Sequence, residues 1–307
     1  MRVLLTGAAG FVGSRVARLL LDEGHEVHAP IRAETDRWRI DAIAPELQTF
    51  RGDLFSEDLG LLVRTIRPEL CIHTAWYASA FDYLSARQNV ALMGATLQLA
   101  MALADAGCRR FVGVGTCFEY DTNAGYLSET TPLGPKQLYS ACKAGTWLAL
   151  EQMARLTAMS VAWPRLFFVY GPFEPARRLV PSIIRSLLAG EEVRVTRGEQ
   201  VRDFLQVEDA AAAILAIARS SVQGPINVGS GVPVTVRALV TRIGAAMDRQ
   251  DLVKFGALPY SVGDPMFVCA NNRLLREICG WGPKCDLHDG LAGTIDWWRE
   301  HRSTQVP

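Results

Sequence analysis

Short apolar runs recur along the chain, each separated from the next by a longer stretch with apolar residues three and four apart. Val3 to Thr6 is the first run. It ends at Gly7-Ala8-Ala9-Gly10-Phe11-Val12-Gly13, after which Val16, Leu19, Leu20 and Leu21 mark a helix face as far as Gly24. Strands buried on both faces of a parallel sheet read as unbroken apolar runs, and a helix laid on that sheet shows the wider spacing. Glu26 to Ile31 predicts a second strand, Phe50-Arg51-Gly52-Asp53-Leu54 the end of a third, Glu69 to Ala75 a fourth, and Arg109 to Gly115 a fifth ending at Thr116. Asn89 to Asp105 predicts a long helix. Pro132, Gly134 and Pro135 mark a loop before another helix, which carries Tyr139-Ser140-Ala141-Cys142-Lys143.

Strand, glycine turn, helix and strand follow one another within about thirty residues, the context in which glycines let backbone N–H groups approach a pyrophosphate at a helix N-terminus. The pattern predicts an α/β fold with a Rossmann-type doubly wound parallel sheet. Gly7, Gly10, Phe11, Val12 and Gly13 are candidate cofactor-binding residues. A NAD-binding fold usually has a carboxylate at the end of the second strand, facing the adenine ribose; here Ile31 and Arg32 stand there. Arg32, with Arg37 or Arg39, suits a 2′-phosphate, so NADP(H) is favoured, with NAD(H) as the alternative. The bland reading is three solvated loop arginines. Asp53, beside Leu54, either holds an adenine amino group or caps the next helix.

A tyrosine and a lysine four apart share one helix face, where an ammonium can stabilise a phenolate. Tyr139 and Lys143 have this spacing, and Thr116 at the end of the fifth strand lies on the edge of the sheet that takes ligands. Trp76 and Tyr77, after the fourth strand, are either pocket walls or packing. His73 inside that strand reads as a satisfied core histidine rather than a general base, and no second histidine at ligand spacing supports a metal.

The 307 residues are 49% hydrophobic, enough for one large core or two smaller ones. Lys+Arg 32 against Asp+Glu 32 leaves no net charge, so nothing points to nucleic acid or an anionic membrane, and an anionic ligand needs a local basic site. The chain starts directly in a strand and has no apolar run of roughly 18 residues, so a cytoplasmic protein is expected. The seven cysteines are scattered with no Cys-x-x-Cys pair, which suggests neither disulfides nor zinc.

With these motifs in order, the chain resembles the extended short-chain dehydrogenase/reductases, the NAD(P)-dependent nucleotide-sugar epimerase/dehydratase/reductase group. The resemblance rests on the glycine turn, Gly52-Asp53-Leu54, Ile72-His73-Thr74-Ala75, Asn89-Val90, Thr116-Cys117-Phe118-Glu119-Tyr120, Tyr139 to Lys143, and Val169-Tyr170-Gly171-Pro172. It implies catalytic roles for Thr116, Tyr139 and Lys143. Tyr139 exchanges a proton with the sugar oxygen, Lys143 holds the nicotinamide ribose and tunes Tyr139, and Thr116 orients the oxygen. It also implies cofactor contacts at Asp53, Leu54, Thr74, Ala75 and Asn89. Val201-Arg202-Asp203-Phe204 followed by Val207-Glu208-Asp209 resembles the segment whose arginine grips the sugar-nucleotide diphosphate. The alternative for Arg202 is an ion pair with Asp203 or a neighbour. Asp264 is implied to reach the nucleotide ribose. The resemblance predicts a dinucleotide-binding domain over 1–165, also receiving roughly 201–230, and a smaller discontinuous C-terminal α/β sugar-nucleotide domain over 166–307. Some relatives dimerise through the helix carrying the tyrosine and lysine and the one before it, so a homodimer is expected.

In the group's 4,6-dehydratases an Asp-Glu pair follows the active-site threonine, whereas here Cys117 and Phe118 stand there. A phenylalanine cannot take a proton, so dehydration is not expected. Phe168 replaces an asparagine usual near the sugar diphosphate, which counts against a galactose-type epimerase. The segments 194–204 and 265–281 resemble the 4-ketoreductases that make dideoxyhexoses such as paratose and abequose. The expectation is an NADPH-dependent 4-ketoreductase of a nucleotide-linked 4-keto-6-deoxysugar. Its pocket candidates are Trp76, Tyr77, Cys117, Phe118 and Phe168, with Glu119 read equally as a sugar contact or as a solvated or structural glutamate. The rivals are an NAD-dependent nucleotide-sugar epimerase and a non-catalytic dinucleotide-sensing protein of the same fold.

Overall fold

The computed structural model describes residues 1–55, 59–79 and 82–301; residues 302–307, the end of the expected second domain, lie outside. The first half runs β1 (Arg2–Thr6), α1 (Phe11–Asp22), β2 (Glu26–Ile31), β3 (Gln48–Arg51), α2 (Leu59–Ile66), β4 (Leu70–His73), α3 (Gln88–Asp105), β5 (Arg110–Gly113), β6 (Gly115–Thr116), β7 (Tyr126–Leu127) and α4 (Leu138–Leu156). Then come β8 (Ser160–Leu166), β9 (Phe168–Tyr170), α5 (Leu179–Ala189), β10 (Val193–Val195), β11 (Val201–Gln206), α6 (Val207–Arg219) and β12 (Gly224–Val228). The chain closes with β13 (Pro233–Thr235), α7 (Val236–Ala246), β14 (Val253–Phe255), β15 (Phe267–Ala270), α8 (Arg273–Cys279) and α9 (Leu287–Glu300).

The main sheet is parallel in the order β12-β8-β5-β4-β1-β2-β3, with β6 paired to β8. Chain order reverses between β1 and β4, which opens the ligand crevice of a doubly wound sheet above their C-terminal ends. Helices cover both faces. Val16 and Leu20 of α1 pack with Ala210 and Ile214 of α6 on one side, and Val63, Leu99, Leu103, Trp147 and Leu150 of α2, α3 and α4 pack on the other. Burying each such large side chain contributes about 1.5–3 kcal/mol.

β4 ends two residues earlier than the apolar run predicts. Thr74 turns its hydroxyl to donate to the Thr6 carbonyl at 2.8 Å, and Ala75 passes beneath Gly7. The fifth run is split, because only Arg110 to Gly113 pairs with β4, while Gly115 and Thr116 pair with β8. A second sheet has the order β13-β11-β15-β7, with β9 also on β11, and β10 pairs with β14. Its helices α5, α7 and α9 enclose a separate core of Ile183, Ile184, Leu239, Ile243, Leu291 and Trp298. Among the described residues no helix is long and apolar enough to cross a membrane.

Candidate active site

The glycine turn is shaped by contact with the end of β4. Gly7 has φ +76°, and a Cβ there would lie 2.6 Å from both the Ala75 nitrogen and Thr74 Oγ1. At Gly13 a Cβ would lie 2.0 Å from the Gly7 carbonyl, so neither position admits a side chain. α1 begins at Gly10 with no side-chain cap and no acidic residue in its first turn, and Phe11 and Val12 are half-buried. The free N–H groups and positive helix end fit a dinucleotide pyrophosphate. Beyond β2, Ile31 is buried while Arg32 is exposed and pairs with Glu34 at 3.4 Å. Arg39 is not free for a 2′-phosphate, since its Nε donates to the Phe173 carbonyl at 2.9 Å and its guanidinium lies over Trp38. Asp53 accepts from the Phe55 N–H, closing a local turn, and Leu54 is buried in the core rather than facing the crevice.

Thr116 and Tyr139 come together. The Thr116 side chain acts on the phenol in the direction of ionisation, but burial and the nearby Tyr83 outweigh this and hold the tyrosine well above its ordinary pKa. Tyr83 packs edge-on to Tyr139 at 5.1 Å. Lys143 is buried on the same helix, yet its ammonium does not turn to the phenol. It donates to the Val114 carbonyl at 2.6 Å and sits 3.8 Å from the centre of the Trp76 ring. The direct phenolate stabilisation expected from the spacing is therefore absent, because a buried ammonium takes the nearest carbonyl and aromatic face in place of water. Burial lowers its pKa to about 7, against an upward pull from Glu119.

Asn89, expected at the cofactor, is instead consumed by its own loop. Its amide donates to the Tyr83 and Ala86 carbonyls and accepts from the Trp76 indole at 2.7 Å, which sets the ring over Lys143. Tyr77 donates to Asp82 at 2.8 Å. His73 is a satisfied core residue between Thr6 and Thr96, driven down to about 3 by burial and by the nearby Lys143.

On the facing side, Phe118 packs edge-on to Phe168, and the Arg202 guanidinium lies 5.2 Å from the Phe168 ring. Arg202 and Asp264 are joined at 2.7 Å, so the two residues expected at the nucleotide share one place and pair with each other. Asp203, the other partner considered for Arg202, instead accepts from Ser230, Gly231 and Ala270. Cys117 and Glu119 both turn inward, which for Glu119 is the structural one of its two readings. Cys117 is buried among Tyr120, Leu127, Phe167 and Val268, with its thiol pushed up to about 12 chiefly by burial. Glu119 is fully buried and ion-paired to Arg165 at 2.7 Å.

A family model described as the NAD dependent epimerase/dehydratase family matches residues 3–229. The chain belongs to that family. It is 30% identical to a UDP-glucose 4-epimerase of Mycolicibacterium smegmatis, covering 97% of this chain and 99% of that one. It is also 30% identical to a dTDP-glucose 4,6-dehydratase of Streptomyces griseus, covering 99% and 96%. The solved UDP-glucose 4-epimerase of Thermus thermophilus, in complex with NAD, is 27% identical with a TM-score of 0.86, covering 97% of this chain and 99% of that one.

Sequence reasoning missed the Glu119–Arg165 pair of this family member. Its signal is Gly113-x-Gly115, alternate glycines on one strand face, where added Cβ atoms would lie 2.5 Å and 2.3 Å from the Trp163 ring. It also missed the clasp between the loop after β2 and the later chain, in which Trp38 stacks on Phe173 at 5.4 Å and lies against Trp297.

Proposed function

We propose that the protein reduces the 4-keto group of a nucleotide-linked 4-keto-6-deoxysugar, with NADPH as the reductant. The reading is carried by the surroundings of Thr116. Cys117 is buried, Phe118 has no proton to give, Glu119 is locked in an ion pair, and His73 is held neutral in the core. Tyr139 is left as the proton donor beside Thr116, which suits one proton transfer to a ketone oxygen better than the acid and base of a dehydration. A bound nicotinamide dinucleotide supplies the hydride. The chain's own residues do the rest: Thr116 and Tyr139 orient the sugar oxygen, Tyr139 donates its proton, Lys143 would hold the nicotinamide ribose, and Arg202 would hold the diphosphate. The charge of Arg32 and the lack of a carboxylate after β2 favour the 2′-phosphorylated cofactor.

A second reading, an NAD-dependent nucleotide-sugar epimerase, is favoured by the Thermus thermophilus relative, solved with NAD. Offering NADPH with CDP-, dTDP- and GDP-linked 4-keto-6-deoxysugars and following loss of NADPH absorbance separates the two. Consumption with one of them is expected. Failure of all of them, with NAD found bound to the purified protein, would replace reductase by epimerase.

A further inference from the structure

Glu119 has no contact with solvent, and its carboxylate collects four donor contacts. Oε1 accepts from the Thr116 N–H at 2.8 Å and the Trp163 indole at 3.0 Å, and Oε2 from Arg165 Nε at 2.7 Å and the same indole at 3.1 Å. The main sheet gives up a side chain to admit this group, since a Cβ on Gly115 would lie 2.5 Å from Oε1. A buried ion pair is often no more stabilising than apolar packing of the same volume, so stability alone is weak grounds for the arrangement.

The network touches two members of the candidate reaction centre. It holds the main chain at Thr116, whose hydroxyl meets Tyr139, and the Trp163 ring that it orients lies 5.8 Å from the Lys143 ammonium. The groups around that ammonium are the Val114 carbonyl, the Trp76 and Trp163 rings, neutral His73 of β4, Tyr139 one turn away on α4, and Glu119. Of these, Glu119 is the group whose charge opposes the cost of burying the lysine.

We propose that Glu119 is a positioning residue for the Thr116–Tyr139–Lys143 set: its carboxylate fixes the main chain at Thr116 and supplies a buried negative charge on the Trp163 ring that the Lys143 ammonium approaches. The inference rests on reading that set as the reaction centre.

The chain has four lysines, Lys136, Lys143, Lys254 and Lys284, so lysine-labelled NMR of the side-chain ends is sparse, and Lys143→Met identifies the Lys143 signal by its loss. Burial brings the Lys143 pKa down to about 7, so its midpoint in the native chain is expected there. In Glu119→Gln the midpoint falls by about 1 pH unit or more, because the attractive charge is gone. That variant leaves Arg165 buried without its partner, so Glu119→Gln with Arg165→Met, which removes both charges, is measured beside it and shows a smaller fall, because the repulsion from Arg165 is removed together with the attraction from Glu119. Glu119→Asp keeps the charge and a midpoint near the native one. An unmoved Lys143 midpoint in Glu119→Gln, or in the double variant where Glu119→Gln alone does not fold, overturns the proposal. The NMR midpoint needs no substrate. A shifted midpoint in a protein that reduces no ketosugar leaves this inference standing and sinks the reductase, and an unshifted midpoint in an active reductase does the reverse.

Discussion

Replacing Lys143 by Met should make the protein more stable and inactive, with a stability gain that depends on pH in a defined direction. The lysine falls from its ordinary value of 10.5 to about 7 because burial penalises the ammonium. Below pH 7 it is charged in both folded and unfolded chains, and the folded chain bears the full cost of burying it. Between pH 7 and 10.5 the folded chain has lost the proton while the unfolded chain keeps it, so raising the pH favours folding; above that window the cost is gone. At about 1.4 kcal/mol per pH unit the whole effect is roughly 5 kcal/mol, a large share of the 5–15 kcal/mol that holds a typical protein folded. Methionine has similar length and no charge. It forfeits the bond to the Val114 carbonyl, worth about 1 kcal/mol, which leaves a net gain of about 3–4 kcal/mol at pH 6. Urea unfolding of both proteins from pH 6 to 10, followed by tryptophan fluorescence, should show the Met variant ahead at pH 6 and its lead shrinking from pH 7 upward. A lead that does not change with pH would show that Lys143 titrates like an exposed lysine and would refute the reasoning.

Tyr139→Phe should cut ketone reduction by about 10²–10⁴-fold while a fluorescence titration finds cofactor affinity within about twofold of native; a comparable loss of binding would mean the phenol holds ligand rather than moves a proton. Gly115→Ala drives a Cβ to 2.3 Å from the Trp163 indole nitrogen, so it should destabilise by about 1–3 kcal/mol. Calorimetry would read this as a Tm lowered by several degrees, and an unchanged Tm would contradict the packing described. Arg202→Met should raise KM for the nucleotide sugar by about tenfold or more with cofactor affinity unchanged, whereas an unchanged KM removes Arg202 from the diphosphate site. Arg32→Glu, at an exposed position, should weaken NADPH relative to NADH by about tenfold in steady-state assays; equal retention of both would end the 2′-phosphate assignment.

The main sheet was legible because its strands are buried on both faces and its first turn needs glycine for a steric reason visible in the spacing Gly7, Gly10, Gly13. The approach of Thr116 to Tyr139 was legible in the same way, from a strand end and a helix start placed above one sheet edge. What was not legible turns on side-chain direction. Cys117 and Glu119 follow Thr116, and a sequence does not say that the tight turn there sends both inward, one into a core cluster and one onto Arg165, 46 residues along. Asn89 and Trp76 each read as a ligand contact, yet they satisfy one another, because a loop without regular backbone bonds draws on its own amides. The Val114 carbonyl as the acceptor for Lys143 was not legible for a related reason. Helical spacing brings the lysine to the right face of α4, but where its flexible arm ends is decided by the nearest buried acceptor.

The two cations that the family resemblance aims at ligands are both held by the chain's own oxygens, Lys143 by the Val114 carbonyl and Arg202 by Asp264. A ligand gains from these cations only the difference between its oxygens and the ones it displaces. At Lys143 that difference favours the ligand, since one carbonyl and an aromatic face are poor compensation for a buried charge. At Arg202 the competitor is a carboxylate, and a diphosphate must carry more charge onto the guanidinium than Asp264 already does. Asp264 is partly exposed, so once displaced it can be solvated or turned toward hydroxyl donors. A neutral sugar has no means of making that exchange. The proposed role of Arg202 therefore requires an anionic carrier, and a nucleoside diphosphate linked to the sugar would meet that requirement.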